Sequence, residues 1–209
     1  MTPLAVALVL RGRRVVVVGA GPIALDKIAR LLAAEAAVVV VAPEAVAAIR
    51  ALAAEDRLVW REKRFEPADL DGAFFCLTAT GRDRVDGAVF AACEARHLLC
   101  NAADVPEACS VYLMAQTETP PVTLAVGTHG HAPGLTGRLA REARMGWPDD
   151  IADLVTRYGA VRRWLQQQHP GHAALPQRMH ALRWLAQQPW EFLRQPESVL
   201  REAVLAAMN

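Results

Sequence analysis

The chain has 209 residues, 53% of them apolar and 22% charged, and its 23 Lys and Arg against 22 Asp and Glu leave a net charge of +1. That length holds one ordinary domain plus a smaller attachment and suffices to bury a core. Near-neutrality gives no global pull toward nucleic acid or an anionic membrane, so neither is expected as a partner.

The opening apolar run, residues 3–10, has its basic residues after it and is too short to span a bilayer. It reads as neither a signal peptide nor a transmembrane helix, and a cytoplasmic location is expected. Four valines at 15–18 make a buried strand, which Gly19-Ala20-Gly21-Pro22-Ile23-Ala24 turns into a helix. Gly19 permits the tight turn, Gly21 lets backbone N–H groups approach a pyrophosphate, and Ala24 keeps helix and strand close. Pro22 suits a first helical turn, so the phosphates are expected on the positive end of that helix. A plain β-turn-α crossover that binds nothing has the same outline, but the strand before and the apolar helix after supply the context of dinucleotide binding.

Residues 38–42 form a second buried strand, closed by Pro43, and 44–54 an Ala-rich helix. Glu44, just past that strand, can accept a hydrogen bond from a ribose 2′-OH and repel a 2′-phosphate, which points to NAD; a solvated acid at a helix start is the plainer reading. Strands follow at 58–60, 73–79 and 98–100, with a helix over 84–96. Buried β-runs separated by helices predict an α/β fold, a doubly wound parallel sheet of Rossmann type over residues 1–109. Gly19 to Gly21, Thr80, and Asn101 to Asp104 all fall at carboxyl ends of strands, where such sheets bind ligands.

The rhythm changes after Pro106. Residues 110–115 and 122–126 read as two consecutive strands joined by a polar turn over 116–120, a hairpin that does not continue a parallel sheet. A helix over 134–144 follows, and 110–146 is set apart as its own region. Residues 147–209 are helical, with segments 148–168, 176–188 and 196–207 each opened by a proline. Four of the five tryptophans lie there and suit a core better than a ligand platform. The four cysteines lack CxxC spacing and read as reduced, buried thiols, with no metal site expected.

Taken in order, these segments resemble the precorrin-2 dehydrogenase family, the dehydrogenase/ferrochelatase part of siroheme synthase, over about residues 3–145. The resemblance rests on Leu-Arg-Gly-Arg-Arg at 10–14, Gly-Ala-Gly-Pro-Ile-Ala-Leu-Asp-Lys at 19–27, Val-Val-Ala-Pro-Glu at 40–44 and Leu-Thr-Ala-Thr at 77–80. It is completed by Cys-Asn-Ala-Ala-Asp-Val-Pro-Glu at 100–107, the hairpin, and Gly-Thr-His-Gly-His-Ala-Pro at 127–133. The resemblance implies NAD-dependent oxidation of precorrin-2 to sirohydrochlorin, with insertion of iron in some members, so that Fe2+ or Co2+ is a metal substrate rather than a resident ion. It also implies a homodimer in which 110–146 is an intertwined dimerisation region, followed by a small helical domain.

Asp104 corresponds to the aspartate to which that family assigns catalysis. A carboxylate there can accept a proton as hydride leaves the macrocycle, or serve only as the turn former before Val105-Pro106. A substrate rich in carboxylates needs arginines, and Arg138, Arg141 and Arg144 share helix faces beside the Thr128 loop; a solvated charge stripe has the same pattern. Thr128 stands where the family commonly has a small hydroxyl residue. His129 and His131 around Gly130 can contact substrate carboxylates, handle a divalent metal, or face solvent. Asp26 before Lys27, Gly81 after Thr80, and the two histidines depart from the family's pattern and leave room for a paralogue acting on a related tetrapyrrole. Two readings from other classes compete. A non-catalytic NAD-sensing module needs the phosphate turn but not Asp104, and a dehydrogenase of unrelated specificity needs a cleft acid/base, for which the tail offers His169, His172 and His180.

Overall fold

The computed structural model describes residues 3–103, 105, 108–129 and 131–208. Asp104 and Gly130, both expected in the site, lie outside the described residues. The chain divides into two units: Met1–Leu113 with His129–His131, and Met114–Thr128 with Ala132–Asn209.

In the first unit β1 (Arg14–Val18), β2 (Ala37–Val41), β3 (Val59–Arg61), β4 (Phe75–Thr78) and β5 (Leu99–Ala102) form a parallel sheet ordered β3-β2-β1-β4-β5. Both faces are covered, which is why β1 and β2 are unbroken valine runs rather than alternating ones. Val15, Val17, Val38 and Val40 pack against Ile28 and Leu31 of α1 (Pro22–Ala33) and Ile49 of α2 (Ala47–Ala54). Val16, Val18, Val39 and Val41 pack against Val89 and Cys93 of α3 (Asp83–Glu94) and against Leu70. Each such valine, taken out of water, contributes about 1.5–3 kcal/mol. The order reverses between β1 and β4, creating a crevice beyond their carboxyl ends.

Two boundaries differ from the sequence reading. α2 begins at Ala47 rather than at Glu44, because the Val46 N–H donates to the Ala20 carbonyl (3.0 Å) and holds the preceding residues extended beside the phosphate turn. β5 runs through Asn101 to Ala102, so Asn101 is a strand residue rather than a loop residue.

The second unit contains the hairpin, though one strand is not where expected. β6 is Ala115–Thr119 and β7 is Val122–Val126, paired antiparallel from Thr119↔Val122 to Ala115↔Val126. Residues 110–113 instead belong to the first unit. The N–H groups of Ser110 and Val111 both donate to the Cys100 carbonyl (2.9 and 3.1 Å), and Val111 and Leu113 pack on the sheet's core. The strand is the polar segment, alternating half-buried Thr117 and Thr119 with exposed Gln116 and Glu118, and it turns at Pro120 and Pro121. There a missing N–H costs the ladder nothing.

Helices α4 (Pro133–Met145), α5 (Ile151–Gln168), α6 (Leu175–Ala186), α7 (Trp190–Leu193) and α8 (Glu197–Ala206) complete this unit. α5 presents Leu154, Val161 and Leu165 at helical spacing to Ala181, Leu185, Leu193, Leu200 and Val204. Trp164 and Trp184 pack on this cluster, Trp184 edge-to-face with Phe192 at 6.0 Å, as a core role requires, whereas Trp147 lies outside the cluster and Trp190 is 45% exposed, so the core reading holds for two of the four. The one-turn α7, entered through Pro189, was too short to give a periodic signal. Among the described residues no helix is long and apolar enough to cross a membrane.

Candidate functional site

The first unit builds its site where β1 ends. Gly19 has φ +103°, and a Cβ there would stand 2.5 Å from the Ala79 carbonyl oxygen, so the turn after β1 and the end of β4 touch backbone to backbone. The Gly19 N–H donates to Val41 O (3.0 Å), joining the turn to β2 as well. Gly21 is the N-cap of α1, and a Cβ built on it would meet nothing within 4 Å. Ala24 is fully buried against the core, whereas Ile23 is 54% exposed above it. The first turn of α1 carries no acidic residue and starts at Pro22. Open space over Gly21 and an uncontested positive helix end fit the pyrophosphate of a dinucleotide. Pro43 and Glu44 are exposed at the adjoining end of β2.

The end of β4 is held by a carboxylate that sequence reasoning missed. Asp86, in the first turn of α3, is 3% exposed. Its Oδ1 accepts from the hydroxyl of Thr78, from the hydroxyl of Thr80 (2.9 Å) and from the backbone N–H of Thr80 (3.3 Å). The Thr80 hydroxyl in turn accepts from the Arg82 N–H (3.1 Å). Thr80, expected to meet the cofactor, therefore uses its side chain to brace its own loop, and its contribution to a ligand falls to its backbone. The signal available in the sequence was the pair Thr78 and Thr80 followed at one-helix distance by an acid.

Asn101 is 7% exposed in β5. Its Nδ2 donates to Val111 O (2.9 Å) and approaches Cys109 Sγ (3.6 Å), while its Oδ1 is a buried acceptor without a partner among the described residues. Cys109 closes the same turn, its sulfur taking the Ala102 N–H (3.2 Å). Cys109 thus ties the Ala102 N–H and, through its own thiol, the Val105 carbonyl (3.4 Å). His129, at φ +52°, and His131 group with this unit and are exposed.

In the second unit the Thr128 hydroxyl accepts from the Ala132 N–H (3.1 Å), shaping the entry to α4. Arg138 pairs with Glu142 one turn on (2.7 Å), and Arg141 is exposed. Arg144 does not join them as a stripe. Its Nε donates to Thr119 Oγ1 (3.1 Å) and its guanidinium lies over the Trp147 ring (5.7 Å), fastening α4 to the hairpin.

Residues 6–115 match the family model described as "Putative NAD(P)-binding". The chain is 33% identical over 180 residues to siroheme synthase 1 of Klebsiella pneumoniae, covering 79% of this chain and 38% of the relative. It is 39% identical over 153 residues to siroheme synthase 1 of Cronobacter sakazakii, covering 73% and 32% respectively. The chain thus spans little more than a third of the length of the curated relatives it matches, and the expected resemblance to siroheme synthase is borne out. A solved structure described as SirC, precorrin-2 dehydrogenase, matches with a TM-score of 0.73 over 98% of both chains at 24% identity, which establishes the fold.

Proposed function

The chain belongs to the NAD(P)-binding family, and from that premise we propose that it is an NAD-dependent dehydrogenase converting precorrin-2 to sirohydrochlorin. The observation that carries the reading is the phosphate turn at the switch point, where Gly19 lies against Ala79 and open space stands over Gly21. Gly19 to Ala24 hold the pyrophosphate through backbone N–H groups, and Pro43 with Glu44 hold the adenosine ribose. Bound there, the oxidised nicotinamide supplies a hydride acceptor. The Ala79-Thr80 backbone and Asn101, with its unpartnered Oδ1, border the nicotinamide end. Asp104 takes the proton that leaves the macrocycle as hydride departs.

Thr128, Arg138 and Arg141 bind the substrate's carboxylates, the arginines as bidentate partners. His129 and His131, on either side of Gly130, contact the same substrate. Fe2+ or Co2+ enters as a second substrate if the protein also chelates. The working form is a homodimer built through residues 110–146.

Anaerobic incubation with precorrin-2 and NAD tests the proposal. NADH should appear only with the tetrapyrrole present, and Asp104→Asn should cut its rate by roughly 10²-fold while leaving NAD binding intact. NAD binding without turnover would leave a non-catalytic sensing module as the function. Ferrous or cobaltous ion added after sirohydrochlorin forms should change its spectrum if the protein chelates. A His129→Ala/His131→Ala variant that loses only this second step assigns the pair to the metal, and loss of both steps assigns it to substrate.

A further inference from the structure

Three cysteines converge on the sheet face that α3 covers. Cys76 of β4 and Cys100 of β5 are register partners in the parallel ladder, so their side chains stand side by side on one face. Cys93, from the last two turns of α3, meets them from above. The three Sγ atoms all lie within 4.8 Å of one another, and all three residues are 0% exposed. We propose that Cys76, Cys93 and Cys100 form a three-coordinate thiolate site for a soft, thiophilic metal ion, with cuprous copper the ion whose chemistry matches it.

Ligand softness supports this first, since thiolates select copper(I) and zinc over hard cations. The distances support it second. A metal–sulfur bond of about 2.3 Å in a trigonal plane sets the sulfurs about 4 Å apart, a contraction of under about 1 Å from the observed limit. Coordination number then separates the ions. No His, Asp or Glu among the described residues joins the group, and full burial keeps water from supplying a fourth ligand. Zinc would be left one ligand short of its tetrahedron, whereas copper(I) is complete with three.

Metal binding replaces the thiol protons, which leave to solvent, and needs no oxidant. A cavity of about 300 Å³ is lined by Leu70, Asp71, Gly72, Ala73, Arg96 and Leu98. Leu70 and Leu98 also belong to the core cluster that holds the three sulfurs. Cysteines packed merely as small apolar groups would bind no ion.

The test is an anaerobic titration of the reduced full chain with copper(I) against a competing chelator. One equivalent per chain should bind, with an ultraviolet thiolate-to-copper charge-transfer band and a higher Tm, because the ion ties β4, β5 and α3 together. Cys93→Ala and Cys100→Ser should each weaken binding by at least about 10²-fold, more than loss of a ligand's hydrogen-bond partner usually costs. Cys109→Ser, outside the trio, should keep the band. A wild-type chain that yields all its copper to the chelator overturns the proposal whether or not the variants fold. So does a band that survives in folded Cys93→Ala, as judged by circular dichroism.

Discussion

Gly19 and Asp86 hold the same crevice from its two sides, and they differ in how openly the sequence declares them. At Gly19 a side chain is excluded twice, by φ +103° and by the Ala79 carbonyl 2.5 Å from any Cβ. Gly19→Ala should destabilise the fold by at least about 1–2 kcal/mol for the left-handed backbone alone, and should weaken NAD binding more than tenfold. Thermal denaturation and calorimetric NAD titration measure both effects. Asp86→Ala strands the buried Thr78 hydroxyl, at about 1–3 kcal/mol, and removes the brace on the half-buried Thr80 loop, so Tm should fall and NAD should bind several-fold more weakly. A Tm and an NAD affinity equal to wild type would remove the bracing role. Gly19 was legible because a turn after four valines needs a residue free to take positive φ. Asp86 was not, because an acid in a first helical turn already has a sufficient local reason in the helix dipole. Glu44 is exposed at the end of β2, and a higher kcat/KM with NAD than with NADP is the outcome expected if it holds the ribose.

Among the elements, the strands and helices of the first unit were legible from run length and residue type, since a strand buried on both faces has no other way to read. The hairpin was legible in kind and its second strand in place, but its first strand begins five residues later than read. Apolar residues 111–114 looked like a strand, yet Val111 and Leu113 belong to the sheet's core, and alternation in the polar segment decided the ladder instead. The 3₁₀ turn Pro67–Leu70 between β3 and β4 went unread, and it carries a pH dependence. Burial of Asp69 opposes its ionisation, but the Glu66 N–H (2.9 Å), Arg61 (3.0 Å) and Lys63 (3.3 Å) prevail and hold its carboxyl below the ordinary value of 3.8. A depressed carboxylate pKa stabilises the fold above the unfolded value and loses that contribution as pH falls through the folded one. Urea denaturation should therefore show stability dropping below about pH 4, with a shallower drop in Asp69→Asn, which should be less stable at neutral pH. Equal slopes for the two chains would assign the acid sensitivity elsewhere.

At the scale of the whole molecule, the second unit leaves apolar surface that a monomer has no use for. Leu135 and Leu139 lie one turn apart on α4 at 54% and 42% exposure, and Met145 at the end of the same helix is 82% exposed. The hairpin beside α4 has two strands, and two strands alone are marginal in water, so β6, β7 and α4 gain from a further surface. In the proposed homodimer a second copy of the same region would supply one through a two-fold axis, where each helix face meets its own equivalent. Light scattering at micromolar concentration should give twice the chain mass of 22.7 kDa. Leu135→Asp with Leu139→Asp places two charges on each side of that face, and like charges brought together across a desolvated contact oppose association. That variant should scatter as a single chain while its far-ultraviolet circular dichroism stays helical, because the cluster built by α5, α6 and α8 does not include either leucine. A wild-type chain of monomeric mass would remove the dimer, and a doubly charged variant that still dimerises would move the interface away from α4.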